Sequence, residues 1–121
     1  MPKRSVAVIG ASHDHSKYGN KAVRAYLRQG WTVYPVTPKP EPIEGLKTYA
    51  SIKDIPGHID RATIYLHPEV GLTVLPDIAA KKPDEFFVNP GAESDELLEA
   101  ARDLGLDPIV ACSIVEIGER P

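Results

Sequence analysis

Short apolar runs alternate with amphipathic segments along the chain. Residues 6–9 form a continuous apolar run closed by Gly10, which is typical of a parallel strand buried on both faces. Residues 17–29 carry apolar side chains on one face and basic ones off it, and Gly30 suits the left-handed position after a helix. The same alternation predicts further strands at 31–36, 62–66, 85–88 and 108–111, and further helices from residue 68 and over 94–104.

The order of these elements is typical of one fold class. Residues 41–60 are irregular and predict only a short helical turn near 51–55. Val70, Val74 and Ile78 recur every four residues and predict the buried face of the second helix, in which Pro76 predicts a kink or an early restart. Alternating strands and helices predict an α/β fold, a doubly wound parallel sheet of five strands in three αβα layers, with the first strand central.

Length and composition agree with a single domain over residues 1–121. The chain has 121 residues, of which 42% are hydrophobic, enough for one packed core. Its one cysteine, Cys112, cannot form an intrachain disulfide. No apolar run approaches the roughly 20 residues of a membrane span, and the run after the basic start is too short for a signal peptide. We therefore expect a soluble cytoplasmic protein that does not engage a membrane.

The charge is distributed unevenly along the chain. The formal net charge is -3, but residues 1–40 hold seven Lys or Arg and one acid, whereas the rest holds seven bases and sixteen acids. This asymmetry indicates that one end of the domain handles an anion. A nucleic acid is disfavoured as that anion, because no aromatic residues interleave the bases as a stacking platform and the chain as a whole is acidic.

In doubly wound sheets, ligands bind outside the carboxyl ends of the strands. Those positions are expected at residues 10–20, 37–39, 67–69, 89–92 and 112–113. The first of these loops is the most informative, because it holds a turn of small residues and leads into a helix whose free amides favour a phosphate. Its glycine spacing matches neither the dinucleotide fingerprint nor a Walker A loop.

The residues that follow the second strand indicate which kind of nucleotide the domain would bind. A dinucleotide binder that reads an unphosphorylated ribose places Asp or Glu there, but this chain has Pro38 and Lys39. A lysine favours a phosphorylated ribose, either the 2′-phosphate of NADP or the 3′-phosphate of coenzyme A. Taken by itself, Lys39 is better explained as a solvated surface residue.

Several motifs, in this order and spacing, resemble the small stand-alone CoA-binding domain proteins, which are similar to the nucleotide-binding domain of the succinyl-CoA synthetase α subunit. The motifs are VIGAS at 8–12 with Gly19, VYPVTPK at 33–39, Gly45 with YASIKDIP at 49–56, HPE at 67–69, NPGAE at 89–93, and Cys112. The resemblance covers about residues 5–116. It departs at Thr37, where relatives often carry Asn, and at His13-Asp14-His15, where many carry Pro-Lys or a similar pair.

The resemblance implies a Rossmann-like domain that binds coenzyme A or an acyl-CoA. Carried over motif by motif, it implies that the phosphates are held by Gly10, Ala11, Ser12, Ser16, Lys17, Tyr18, Gly19 and Asn20. Lys39 would meet the 3′-phosphate. Pro38, His67 and Pro68 would border the ribose and adenine.

No catalytic set is evident in the sequence. The phosphorylated histidine of the synthetase lies outside the CoA-binding domain. His13 and His15 lack an evident third ligand, so no metal site is expected, and His67 has no carboxylate positioned as its partner. Cys112 is either a small buried hydrophobe or a thiol near the pantetheine end that can form a mixed disulfide with CoA.

We therefore expect a non-catalytic module that binds a small nucleotide ligand, as a carrier, sensor or regulator. Two alternatives stay open. One is a subunit of an acyl-CoA synthetase-type enzyme that needs a separate catalytic partner, and the other is an NADP-binding protein. A protein partner or a homodimer is compatible with each of them.

Overall fold

The computed structural model describes residues 3–121, and a parallel sheet of five strands lies at its centre. The strands are β1 (Ser5–Ile9), β2 (Thr32–Val36), β3 (Arg61–Ile64), β4 (Glu85–Val88) and β5 (Pro108–Val110). Their order in the sheet is β2-β1-β3-β4-β5, and every neighbouring pair is parallel. The predicted doubly wound sheet is confirmed. The middle strand, however, is β3 and not β1, because three strands are added on one side of β1 and only one on the other.

Helices cover both faces of this sheet. They are α1 (Tyr18–Arg28), α2 (Pro68–Lys81), α3 (Asp95–Asp103) and α4 (Ser113–Glu116), with a 3₁₀ turn at Ile52–Asp54 between β2 and β3. Side chains alternate along β1, so that Val6 and Val8 pack in the core with α1 and α4, whereas Ala7 and Ile9 pack in the core with α2 and α3. The three predicted layers are therefore present.

The sequence did not predict α4, which is only four residues long. Its first two residues, Ser113 and Ile114, are fully buried and close the core on the α1 side. Across residues 3–121, no helix combines the length and the apolar composition that crossing a bilayer would require.

The buried face of α2 agrees with the predicted one at Ile78 and differs from it at Val70. Gly71, Leu75 and Ile78 are buried, whereas Val70 is 50% exposed. A Cβ at Gly71 would lie only 2.8 Å from Leu97 Cδ1 in α3, so the close approach of the two helices selects this face. The helix also continues through Pro76 without the early restart that the sequence suggested.

A charged side chain lies at the amino end of the sheet, under α1 and α4. Arg61 on β3 is only 1% exposed. Its Nη2 donates to both carboxylate oxygens of Glu85, at 3.0 and 3.2 Å, and its Nη1 donates to Glu116 Oε1 at 2.7 Å. The guanidinium also lies against the rings of Trp31 and Phe87, 4.9 and 4.3 Å from their centroids. These contacts compensate the desolvation of the charge and connect β3, β4 and α4.

Replacing this arginine tests its contribution. Arg61→Met keeps much of the apolar length but leaves Glu116 without its arginine partner and Glu85 with Arg4 alone. Both carboxylates are partly exposed, so we expect the free energy of unfolding to fall by about 1.5–3 kcal/mol, from the lost charge-assisted hydrogen bonds. Arg28→Met is the matched control, because Arg28 pairs with Glu119 at the surface, and we expect a loss below about 1 kcal/mol. Urea unfolding measures both, and equal losses would contradict the role assigned to Arg61.

Candidate functional site

A cavity of about 590 Å³ opens at the carboxyl ends of β1, β3, β4 and β5. It includes the point where the strand order reverses, between β1 and β3. Its volume lies in the usual range for small-molecule sites. The residues that line it are Gly10, Ser12, Lys17, Tyr18, Gly19, Tyr65, Leu66, His67, Asn89, Pro90, Gly91, Ala92, Cys112 and Pro121.

Two glycines bring the start of α1 directly against the end of β1. Gly10 has a φ of +90°, and a Cβ there would lie 2.5 Å from the Tyr65 carbonyl oxygen. A Cβ at Gly19 would lie 2.1 Å from the Gly10 carbonyl oxygen. Side chains at these positions would therefore push the loop and the helix away from the sheet.

The amino end of α1 is electrostatically suited to an anion. Lys17 occupies the N-cap position without a side-chain capping bond, and the first turn contains no acidic residue. The first amides of a helix have no partner within it, and the helix dipole adds partial positive charge there. Lys17, Tyr18 and Gly19 all line the cavity, so this positive end borders it.

The loop before α1 is held by its own polar side chains. Asn20 is fully buried, its Nδ2 donates to the Ser12 carbonyl oxygen at 3.0 Å, and its Oδ1 accepts from Arg24 Nε at 2.8 Å. The Asp14 carboxylate accepts from Ser16 Oγ at 2.7 Å and from Ser16 N at 2.9 Å. These two bonds hold the pKa of Asp14 below its usual value. In this structure Asn20 and Ser16 therefore shape the loop.

A buried polar network lies beneath the other end of the cavity. Asn89 Nδ2 donates to Thr63 Oγ1 at 2.6 Å and to the Ile64 carbonyl oxygen at 3.0 Å, and Asn89 Oδ1 accepts from Ser113 N at 2.9 Å. Ser113 Oγ lies 2.8 Å from Thr63 Oγ1 and 3.1 Å from Tyr65 Oη. Burial raises the pKa of Tyr65 above its usual value, so this phenol stays protonated near neutral pH.

The cavity brings together half of the residues expected from the sequence to bind the ligand. Those that line it are Gly10, Ser12, Lys17, Tyr18, Gly19 and His67. The other six are not part of its lining: Ala11 and Asn20 are buried, Pro38 and Lys39 are exposed after β2, Ser16 is exposed in the loop, and Pro68 is the first residue of α2.

Tyr65 and Asn89 also line the cavity. The sequence placed Asn89 in a loop expected to meet a ligand but gave it no specific contact, and it did not single out Tyr65. The signal for both was position. Asn89 directly follows the apolar end of β4, and Tyr65 follows β3, so both lie where strands of a doubly wound sheet meet a ligand. Cys112 also lines the cavity, half-buried, at the N-cap of α4.

The other three histidines lie outside the cavity lining. His13 Nε2 lies 2.7 Å from the Glu41 carbonyl oxygen, and His15 pairs with Glu44 at 2.9 Å, so these two histidines have separate partners. Within residues 3–121, the cluster of three groups that comes closest to a metal site is at the opposite edge of the sheet. Its members are His58, Asp60 and Asp84, with ligand atoms within 4.8 Å of one another.

The sequence matches a family model described as a CoA binding domain over residues 4–118. It is 47% identical over 62 residues to the α subunit of an ADP-forming acetate–CoA ligase II of Pyrococcus furiosus, a stretch that is 50% of this chain and 14% of that protein. It is 29% identical over 115 residues to an ADP-forming acetate–CoA ligase I of Archaeoglobus fulgidus, covering 95% of this chain and 16% of the ligase. The chain thus spans about one-seventh of the length of these relatives.

Solved structures show the same fold. A conserved hypothetical protein from Pyrococcus furiosus superposes with a TM-score of 0.86 at 34% identity, covering 93% of this chain and 98% of that one. The apo form of a dinucleotide-forming acetyl-coenzyme A synthetase 1 from Ca. Korarchaeum cryptofilum superposes with a TM-score of 0.73 at 30% identity, covering 87% of this chain and 25% of the synthetase. The resemblance found in the sequence is confirmed.

The glycine at the end of β1 can be tested against a matched control. Gly30 has a similar φ of +82° but open space around it, so Gly30→Ala should cost only the left-handed strain, about 1–2 kcal/mol of unfolding free energy. Gly10→Ala adds the collision with the Tyr65 carbonyl, and we expect at least twice that loss in urea unfolding. Equal losses would show that the approach of this loop to β3 is not tight.

Proposed function

The chain belongs to the CoA-binding domain family, and we propose that it binds coenzyme A or an acyl-CoA as a non-catalytic module. The observation that carries the proposal is the positive start of α1, with Lys17, at the border of a cavity of ligand size. A diphosphate is the part of CoA that such a helix end would hold. Ser12 and the Gly10 backbone border the same end of the cavity.

The length of the carboxyl edge suits an extended ligand. Neighbouring strands lie about 4.8 Å apart, so the four steps from β2 to β5 span roughly 19 Å. Lys39 follows β2, Lys17 precedes α1, and Cys112 follows β5. CoA would place its 3′-phosphate toward Lys39, its diphosphate at Lys17 and its thiol toward Cys112. The apolar lining by Leu66, Pro90 and Ala92 would face the connecting arm.

The lining of the cavity supports the non-catalytic part of the proposal. Among the residues that line it within the described range 3–121, none is an Asp or a Glu. His67 therefore has no acidic side chain beside it in the lining to orient it as a general base. A carrier, sensor or regulator of CoA is the role that such a site supports.

A second candidate is the CoA-binding part of an ADP-forming acyl-CoA ligase, completed by a separate catalytic partner. The names of the ligase relatives favour it, since this chain matches only a small part of each. An assay of ATP- and acetate-dependent acetyl-CoA formation, with the chain alone and with candidate partner proteins, separates the two. Turnover only when a partner is added would support the ligase role and contradict a purely binding role.

Replacing Lys39 tests the assignment of the 3′-phosphate. We expect Lys39→Met to weaken CoA binding about tenfold, because a charge-assisted contact to the phosphate is lost, and to leave dephospho-CoA binding unchanged. Isothermal titration of the natural protein and of Lys39→Met measures their affinities for CoA, dephospho-CoA and NADP.

Lys53→Met is the control for general charge effects, because Lys53 pairs with Asp77 on a different part of the surface. It should change none of the three affinities by more than twofold. Equal binding of CoA and dephospho-CoA by the natural protein would remove the role of Lys39. Tighter binding of NADP than of CoA would identify NADP, and not CoA, as the ligand of this site.

Cys112 should be able to form a mixed disulfide with CoA. In the presence of CoA disulfide, the Cys112 thiolate attacks one sulfur, a protein–CoA disulfide forms, and one CoA thiolate leaves and takes up a proton. Intact-protein mass spectrometry should then show one CoA adduct that a reductant removes and that Cys112→Ser lacks. No adduct on a Cys112 that small alkylating agents still modify would contradict a thiol end placed beside it.

A further inference from the structure

Three side chains with metal-ligand chemistry meet at the amino edge of the sheet, opposite the cavity. His58 and Asp60 lie in the loop before β3, and Asp84 directly precedes β4. These two strands are neighbours, and Arg61 at the start of β3 is paired in register with Glu85 at the start of β4. The Glu85 amide donates to the Asp60 carbonyl oxygen at 3.0 Å, so the two loops are joined where the three side chains stand.

The separations of the three groups suit a single ion. His58 Nε2 lies 3.0 Å from Asp84 Oδ1 and 4.0 Å from Asp60 Oδ1, and the ligand atoms of all three residues lie within 4.8 Å of one another. At the usual zinc bond lengths of about 2.0–2.2 Å, two ligands of one tetrahedral ion stand roughly 3.3–3.6 Å apart. The observed separations lie on both sides of that value, so modest rotations of these side chains bring the three atoms onto one ion.

Ser5 on β1 holds two of the three residues in place. Its amide donates to Asp60 Oδ2 at 2.7 Å, whereas Asp60 Oδ1 is the oxygen that lies 4.0 Å from His58 Nε2. The Ser5 hydroxyl oxygen accepts from the Asp60 amide at 3.0 Å and lies 3.3 Å from the His58 carbonyl oxygen. Supporting contacts of this kind orient a ligand before the ion arrives. The loop that carries His58 and Asp60 is therefore positioned in advance.

The set of donor atoms decides which ions fit. One imidazole nitrogen and two carboxylate oxygens suit Zn²⁺ and the later first-row divalent ions, whereas Mg²⁺ and Ca²⁺ prefer oxygen ligands alone. The two carboxylates together carry the negative charge that a divalent cation balances. The side chains of His58, Asp60 and Asp84 are 55%, 30% and 62% exposed, so an ion can enter from solvent and keep water in its remaining positions.

We propose that His58, Asp60 and Asp84 bind one Zn²⁺ ion. The ion joins the loop before β3 to the residue before β4 and, through Ser5, to β1. Because the folded chain brings these ligands together and the unfolded chain does not, the bound ion stabilises the fold. A protonated His58 that only pairs with the two carboxylates is the alternative, and it predicts no specific metal binding. The site lies at the opposite edge from the cavity, so its test does not depend on whether the chain binds CoA.

Isothermal titration with ZnCl₂ tests the proposal in the natural protein, in His58→Asn and in Asp84→Asn. We expect one Zn²⁺ per chain in the natural protein. Each variant should bind at least about tenfold more weakly, because even the loss of a supporting residue costs a metal site that much. Both side chains are more than half exposed, and neither change removes a Ser5 contact, so we expect both variants to fold.

His15→Asn is the matched control for this titration. His15 also pairs with a carboxylate, that of Glu44, but within residues 3–121 it belongs to no cluster of three metal-ligating groups. The control should change the affinity for Zn²⁺ less than about twofold. Urea unfolding gives a further measurement, since Zn²⁺ should raise the midpoint of the natural protein and of His15→Asn more than that of Asp84→Asn.

Nitrogen NMR of protein labelled with ¹⁵N-histidine identifies the ligand atom without a variant. Zn²⁺ should shift the Nε2 resonance of His58 and leave the ring nitrogens of the other three histidines in place. No binding of Zn²⁺, or equal affinity in the natural protein and Asp84→Asn, would overturn the site. Binding that is lost in Cys112→Ser and kept in Asp84→Asn would place the ion at the thiol instead. Mg²⁺ that binds as tightly as Zn²⁺ would contradict the imidazole as a ligand.

Discussion

The carboxyl edge of the sheet depends on the hydrogen bonds of one side chain, Asn89. Strands that end in the interior leave backbone groups that cannot reach water, and each such group needs a partner. Asn89 supplies partners to the Ile64 carbonyl on β3 and to Ser113 N at the start of α4, while it is itself attached to β4. Those three elements therefore have fixed positions relative to one another, and the end of the cavity that holds Tyr65 and Cys112 is built on them.

Much of the fold could be predicted because buried parallel strands are short apolar runs that glycine or proline ends. The β1–α1 loop could also be recognised, since Gly10 and Gly19 stand where no side chain fits. The sequence could not indicate Arg61, because a charged residue at the start of a strand looks exposed unless its partners Glu85 and Glu116 are known. The position of Asn89 after a strand could be recognised, but its buried hydrogen bonds could not, since an asparagine after a strand is also an ordinary turn residue.

The basic first third of the chain has a mixed explanation in the structure. Lys17 lines the cavity, but other members of the group have partners within the protein. Arg24 donates to Asn20 and to the His15 carbonyl, and Arg28 pairs with Glu119. The positive charge that the sequence displays as one block therefore divides between ligand-facing and structural roles. Sequence position alone could not separate them, because the distinction depends on contacts between distant segments.

The burial of Arg61 at the amino end of the sheet has a consequence for how this fold can change. Arg61 and Arg4 face Glu85 and Glu116, so the cluster carries no net formal charge. The strands between it and the cavity span roughly 13 to 17 Å at their usual rise per residue, and the potential of a cluster without net charge falls off faster with distance than that of a single charge. The electrostatic potential that an incoming anion meets is thus set by the loops at one edge. Those loops can diverge toward new ligands while the anchoring charges at the other edge stay as they are.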